Sequence, residues 1–183
     1  MATMALALGA PFEQIGQALS RFGGVARRYE HRGHTGGVDF VDDYAHLPTE
    51  VSAALEAATG GSHRRVVCVF QPHRYSRTQM LWPSFADAFV EADVVVVTDV
   101  YPSNERPIPG VTGKLIVNAV LDAHPFARVA YLPHRRDAAA FLAAELKPGD
   151  LCLTLGAGDL TLLADEVQPV LAARAAAAAL GRG

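Results

Sequence analysis

The sequence predicts an α/β fold: a Rossmann-like, mostly parallel sheet with helices on both faces, entered through an N-terminal antiparallel hairpin. Three observations carry this expectation. Continuous valine- and leucine-rich runs at Val66–Phe70, Val94–Thr98 and Leu151–Leu155 are what strands covered on both faces require. Amphipathic stretches of helical length alternate with those runs along the chain. The 183 residues, 50% hydrophobic and 19% charged, make one domain of ordinary size plus an appendage. A domain of that size buries about two-thirds of the surface that its unfolded chain exposes, so a self-sufficient core is expected.

The chain opens on a helical pattern over residues 4–22, with Leu6, Phe12, Ile15, Leu19 and Phe22 forming an irregular apolar face. Gly9-Ala10-Pro11 breaks it into two pieces and Gly23-Gly24 ends it. Such a segment has nothing of its own to pack against, so residues 1–24 read as the terminal helices of a neighbouring domain. Arg28–His31 and Gly37–Val41 then flank Gly33-His34-Thr35-Gly36, which predicts a hairpin turning at that tetrapeptide.

From Val38–Val41 the pattern becomes strand–helix alternation. A polar loop leads to a helix over Thr49–Ala58; Val66–Phe70 leads to a helix over Thr78–Glu91; Val94–Thr98 leads through a long loop to a helix over Gly113–Asp122. Val129–Leu132 precedes a helix over Arg135–Leu146, and Leu151–Leu155 precedes one that ends near Leu171. The domain proper is therefore expected over residues 25–174. The alanine run within residues 175–183 reads as a last helical turn or a flexible tail.

Composition narrows the function classes. With 16 Lys+Arg against 19 Asp+Glu, no general polyanion-binding surface is indicated and no nucleic-acid partner is expected. No stretch has the length to span a bilayer and no signal-peptide pattern is present, so a cytoplasmic protein without membrane insertion is expected. Cys68 and Cys152 lie inside apolar strands and read as buried free thiols, which also removes them as nucleophiles. No phosphate-binding Gly-x-x-x-x-Gly-Lys-Ser/Thr loop occurs, and no Cys/His spacing is of the zinc type, so no metal-ligating residues are expected.

In a parallel sheet, ligands collect beyond the C-terminal strand ends. There the chain places Asp42-Asp43-Tyr44-Ala45-His46, where an aspartate either caps local backbone NH groups or accepts from a ligand. His73, Arg74 and Arg77 follow the next strand; guanidinium groups match carboxylate or phosphate geometry, and free NH groups at the start of a helix would add to the same positive site. The proline-stiffened stretch Asp99–Gly110 is a lid or an ordered crossover, and Gly156-Ala157-Gly158-Asp159 permits close backbone approach without making a dinucleotide site. Arg27-Arg28, at the domain junction, either reaches phosphate held by an adjacent domain or ties the hairpin to an acidic surface.

Taken as an ordered set, these residues resemble the Mur ligase family, in particular its branch joining L-alanine to UDP-N-acetylmuramate. The resemblance is carried by Phe22-Gly23-Gly24 through Arg27-Arg28, Asp42 through Glu50, Phe70 through Thr78, Asp99-Val100-Tyr101, Pro107-Ile108-Pro109-Gly110 and Gly156-Ala157-Gly158. It implies the C-terminal, amino-acid-receiving domain of a three-domain enzyme, with the UDP-sugar domain and most of the central ATPase domain lying outside this chain. It implies ATP and Mg in the complete enzyme, neither bound tightly by this chain alone, which is then inactive by itself. Carried over by position, Asp43 binds the nucleotide ribose and Arg28 approaches the ATP phosphates. Tyr44, His46, His73, Arg74 and Arg77 line the alanine and acyl-phosphate side, the arginines holding the amino-acid carboxylate. Leu47 departs from the family's second histidine, and Asp159 from a frequent asparagine. A recycling ligase that adds a preformed tripeptide, and a non-catalytic Rossmann-like binding domain, are the alternatives.

Overall fold

The computed structural model describes residues 2–21 and 25–180. Two short helices come first, α1 (Ala2–Ala7) and α2 (Phe12–Ser20), parted at Gly9-Ala10-Pro11 as expected. Of their described apolar residues only Ile15 is buried; Leu6, Phe12 and Leu19 stand exposed. Phe22 and the Gly23-Gly24 stop fall outside the described residues.

Six strands follow: β1 (Glu30–Thr35), β2 (Val38–Asp43), β3 (Arg65–Phe70), β4 (Val94–Val97), β5 (Val129–Tyr131) and β6 (Asp150–Leu155). They form one sheet in the order β1-β2-β6-β3-β4-β5, antiparallel only at β1–β2. The connecting helices are α3 (Pro48–Thr59), α4 (Tyr75–Leu81), α5 (Lys114–Ala123), α6 (Arg135–Glu145) and α7 (Leu163–Leu180). This is the α/β, Rossmann-like architecture the apolar runs predict.

Strand alternation explains why those runs are unbroken. Val66, Cys68 and Phe70 of β3, Val95 and Val97 of β4, and Leu151, Leu153 and Leu155 of β6 pack with α3 and α5 on one face. Their neighbours Val67, Val69, Val94, Val96 and Cys152, with Phe40, pack with α6 and α7 on the other. Both sides of each central strand thus meet apolar partners, which is why these strands read as nearly unbroken apolar runs. Among the described residues, no helix is long and apolar enough to cross a membrane.

Three boundaries differ from expectation. The hairpin turns at Gly36-Gly37, not at Gly33–Gly36: Thr35 pairs with Val38, and both glycines take positive φ, 62° and 80°, as a two-residue turn matched to strand twist requires. Gly33 instead lies within β1, where the register slips between His31 and Gly33 in a bulge. The expected helix over Thr78–Glu91 starts earlier, at Tyr75, and closes after Leu81; Trp82–Phe85 is a 3-10 turn with Pro83 near its start, and irregular turns reach β4. Finally, α7 does not stop at Leu171 but continues through the alanine run to Leu180, since alanine favours the helix most of all residues.

Candidate functional site

Four loops leave the C-terminal strand ends side by side and are laced together through their backbones. Gly156 NH donates to the Asp43 carbonyl and Gln71 NH to the Leu155 carbonyl. Tyr101 NH donates to the Pro72 carbonyl, and Arg74 NH returns the link to the Tyr101 carbonyl. The acidic-aromatic turn after β2 and the basic turn after β3 therefore share one rim of the sheet.

His46 and His73 lie with ring centroids 5.7 Å apart; Tyr44 meets His46 edge-on at 5.6 Å and Tyr101 stacks on His73 at 5.8 Å. The two imidazoles have opposite hydrogen-bonding character. His46 Nδ1 lies 3.0 Å from the Tyr44 carbonyl, which only accepts, so Nδ1 carries a proton and, whenever the ring is neutral, the lone pair is at Nε2. His73 Nδ1 lies 3.1 Å from an Arg77 guanidinium nitrogen, which only donates, so the proton of His73 sits on Nε2. Burial, then the charges of Arg77, His46 and Arg74, push the His73 imidazole down to about 4, keeping it neutral at physiological pH. The rim thus pairs an acceptor with a donor.

Arg74 is exposed, and its guanidinium makes no ion pair among the described residues. Its backbone sits at φ 71°, ψ 135°, a region costly for any residue with a Cβ. The helix-end donors do not add to the anion site as expected. Glu105 Oε2 accepts Ser76 NH at 2.9 Å and Oε1 accepts the Ser76 hydroxyl at 2.6 Å, and these bonds hold the Glu105 carboxyl below its usual range. An internal carboxylate fills that position, so anion recognition falls to the guanidinium groups of Arg74 and Arg77.

The paired aspartates divide in role. Asp42 is buried, its Oδ2 accepting Arg27 Nε at 3.0 Å and its Oδ1 accepting the Thr154 hydroxyl at 2.6 Å. Asp43 reaches the rim, with Oδ1 accepting Ala45 NH at 2.8 Å and Oδ2 accepting Tyr29 NH at 2.7 Å. Each of its oxygens keeps capacity for a second donor. Glu50, in the first turn of α3, accepts the NH groups of His46 at 2.9 Å and Leu47 at 3.2 Å. Burial raises its carboxyl, but these donors, with His46 and Arg28, outweigh burial and hold it below the usual range.

Sequence reasoning left Arg27 open and did not nominate Tyr101. Arg27 ties three loops together: besides Asp42, it donates to the Gly156 carbonyl and lies 5.0 Å from the Tyr44 ring centroid. Arg28, exposed, holds its guanidinium carbon 5.6 Å from the centroid of the same ring. Asp159 is clamped, its Oδ1 accepting Gln71 at 2.9 Å and its Oδ2 accepting Arg135 at 2.7 Å. An acidic residue suits Arg135 there. Cys68 and Cys152 are fully buried, and burial pushes both thiols up, away from the reactive thiolate.

The family profile described as Mur ligase, glutamate ligase domain matches residues 27–158, which span the sheet and all four rim loops. The chain belongs to the Mur ligase family. A UDP-N-acetylmuramate--L-alanine ligase of Anaeromyxobacter sp. is 46% identical over 175 residues, covering 94% of this chain and 38% of that Mur ligase. The crystal structure of UDP-N-acetylmuramate-alanine ligase from Thermotoga maritima superposes with a TM-score of 0.72 at 26% identity, over 90% of this chain and 34% of that one. A domain from a putative Mur ligase of Haemophilus ducreyi shares the fold, with a TM-score of 0.58 at 21% identity, over 79% of this chain and 99% of that one. The chain spans between a third and two-fifths of the length of the first curated relatives it matches.

Proposed function

We propose that this chain is the amino-acid-receiving, closing domain of an ATP-dependent ligase that forms the amide between L-alanine and the lactyl carboxylate of UDP-N-acetylmuramate. The observation that carries the proposal is the single rim on which Tyr44, His46, His73, Arg74 and Arg77 meet. Alanine presents an ammonium and a carboxylate, and this rim presents matching groups: guanidinium donors for the carboxylate and the His46 Nε2 lone pair for the amine. His73, neutral with its proton on Nε2, orients the bound carboxylate without adding a charge.

ATP with its magnesium, held mainly by the rest of the enzyme, supplies the phosphoryl activation of the lactyl carboxylate. This chain offers residues that fit the edge of such a nucleotide. Asp43 has acceptor capacity left on both oxygens for ribose hydroxyls, and Arg28 is an exposed cation for phosphate. Domain closure then brings the amine onto the activated carbonyl and excludes water. Alone, the chain holds only one wall of that site, so it is inactive.

A chimera tests this directly. Replacing the matching region of the Anaeromyxobacter relative with this chain should give ATP-dependent UDP-N-acetylmuramoyl-L-alanine formation, while this chain alone gives none. In the chimera, Arg74→Ala or Arg77→Ala should raise the alanine KM by about 10- to 100-fold, the loss of one charge-assisted hydrogen bond of about 1.5–3 kcal/mol. A folded chimera that ignores alanine, or that prefers a tripeptide amine, would reject the proposal in favour of a binding domain or a recycling ligase respectively.

A further inference from the structure

Tyr101 stands between the candidate site and a cleft to which the ligase chemistry gives no role. It follows β4 and continues the pairing of β3 with β4 past the ends of both strands, where His73 and Tyr101 meet in a parallel bridge. Both backbone polar groups of Tyr101 are committed, its NH to the Pro72 carbonyl at 2.8 Å and its carbonyl to Arg74 NH at 2.8 Å. Residues paired across parallel strands carry their side chains on the same face. The phenol ring is accordingly held parallel to the His73 imidazole, with 5.8 Å between centroids and 9° between planes.

The two aromatic rings that flank the imidazole pair differ in what backs them. Tyr44, beside His46, has the guanidinium groups of Arg27 and Arg28 over its ring at 5.0 and 5.6 Å. Tyr101, beside His73, borders a cleft of about 710 Å³ whose walls include Gln71, Asp99, Arg135 and Asp159. That volume is of the size that takes small molecules. At the inner edge of the ring, a Cβ on Gly158 would overlap Gln71 Oε1 and lie 2.6 Å from Tyr101 Cγ, so the amide oxygen and the ring both abut the Gly158 backbone. Gln71 is only 7% exposed. Its Nε2 donates to Asp159 Oδ1 at 2.9 Å, which fixes the orientation of the amide, and its Oε1 has no hydrogen-bond partner among the described residues. A buried acceptor without a donor is destabilising, so a donor that reaches it makes a bond that the chain itself does not supply.

We propose that Tyr101 is the specificity-determining wall of the amino-acid site: its ring confines the amine substrate to a small side chain, and without it the site takes L-amino acids with a longer side chain ending in a hydrogen-bond donor. This rests on the reading that the rim receives an amino acid. With the carboxylate on Arg74 and Arg77 and the amine at His46, a side chain that grows towards Tyr44 meets a ring backed by two guanidinium groups. One that grows towards Tyr101 meets a ring with open space behind it. A methyl group stops short of that wall. The carboxamide of L-glutamine carries the donor that Gln71 Oε1 lacks, and only removal of the ring uncovers that oxygen.

The experiment uses the chimera of this chain with the Anaeromyxobacter relative, offered L-alanine and L-glutamine as competing amines with both products quantified. With Tyr101 intact, L-alanine should be favoured. Tyr101→Ala should raise the ratio of glutamine to alanine product at least about 10-fold, the lower end of what the fit of a side chain in its pocket contributes to discrimination. Should Tyr101→Ala not fold, Tyr101→Leu keeps an apolar contact with Gly158 and should move the ratio in the same direction. Tyr101→Phe keeps the ring and should keep the discrimination. A purely structural role would lower both products together and leave their ratio where it was. Adding Gln71→Leu to Tyr101→Ala should cancel the gain for L-glutamine, while a gain for L-methionine, similar in length but without a donor, persists. An unchanged ratio in folded Tyr101→Ala or Tyr101→Leu chimeras that still use L-alanine, or lost discrimination in Tyr101→Phe, would overturn the role of Tyr101 alone. A folded chimera with Tyr101 intact that ignores alanine would overturn the amino-acid-receiving reading and this proposal with it.

Discussion

Burial, with the Arg77 guanidinium against Nδ1, pushes the His73 imidazole down to about 4, and its ordinary value near 6.5 returns on unfolding. Between about pH 6.5 and pH 4 the unfolded chain therefore binds a proton that the folded chain refuses. Stability rises with pH across that window and is lost on acidification through it. Urea denaturation at pH 7 and pH 4.5 should show this loss, and His73→Gln should reduce it; an unchanged pH slope in His73→Gln would reject the assignment. Arg74 tests a different property of the same turn. Its φ of 71° suits glycine, so Arg74→Gly should be more stable than Arg74→Ala by about 1 kcal/mol, measurable in the same denaturation assay. The sequence placed His73, Arg74 and Arg77 on one turn and His46 on another, but it did not reveal which imidazole nitrogen was free. That depends on Tyr44 and Arg77 contacts formed only after folding. Nor did it reveal that Glu105, 29 residues from Ser76, would take the helix-end donors.

The strands and helices were legible wherever burial on both sides forced a continuous apolar run, as in β3, β4 and β6. They were not legible where a glycine had two possible uses. Gly33 and Gly36 read as turn residues and Gly37 as the start of a strand, and only the β1–β2 register assigns Gly33 to a bulge and Gly36-Gly37 to the turn. A consequence separates them. At Gly37, φ is 80° and a Cβ would lie 2.8 Å from the Pro148 Cβ, whereas at Gly36 the nearest atom, Leu171 Cβ, would be 3.4 Å away. Gly37→Ala should therefore cost about 1–3 kcal/mol, from backbone strain together with the contact, while Gly36→Asn, a residue that tolerates positive φ, should cost less. Unfolding midpoints of the two variants decide it; equal losses would mean the turn does not lie where the register places it.

At the scale of the molecule, the two core clusters close on themselves between Val38 and Leu171, and neither contains a residue of α1 or α2. Ile15 is the buried residue of α2, while Met4, Leu8 and Phe12 are 68%, 82% and 77% exposed. Apolar side chains that reach neither core add little to the folding of the sheet, because burial is what stabilises them. Sequence pattern suggested this division, since the opening helices carried an apolar face without a partner strand. It did not show that Arg27, just beyond them, is fastened to buried Asp42 and to Gly156 and so belongs to the sheet. The boundary should therefore lie between α2 and Arg27. Removing residues 1–24 should leave one cooperative thermal transition with a midpoint within a few degrees of the full chain. Extending the deletion through Arg27 should lower it markedly, because Asp42 then keeps a buried charge without its guanidinium partner, a change that costs about 3–5 kcal/mol in buried pairs. Calorimetry of the two truncations tests both halves: a large loss from the shorter deletion would make α1 and α2 part of this folding unit, and no further loss from the longer one would remove Arg27 as the clasp of the rim.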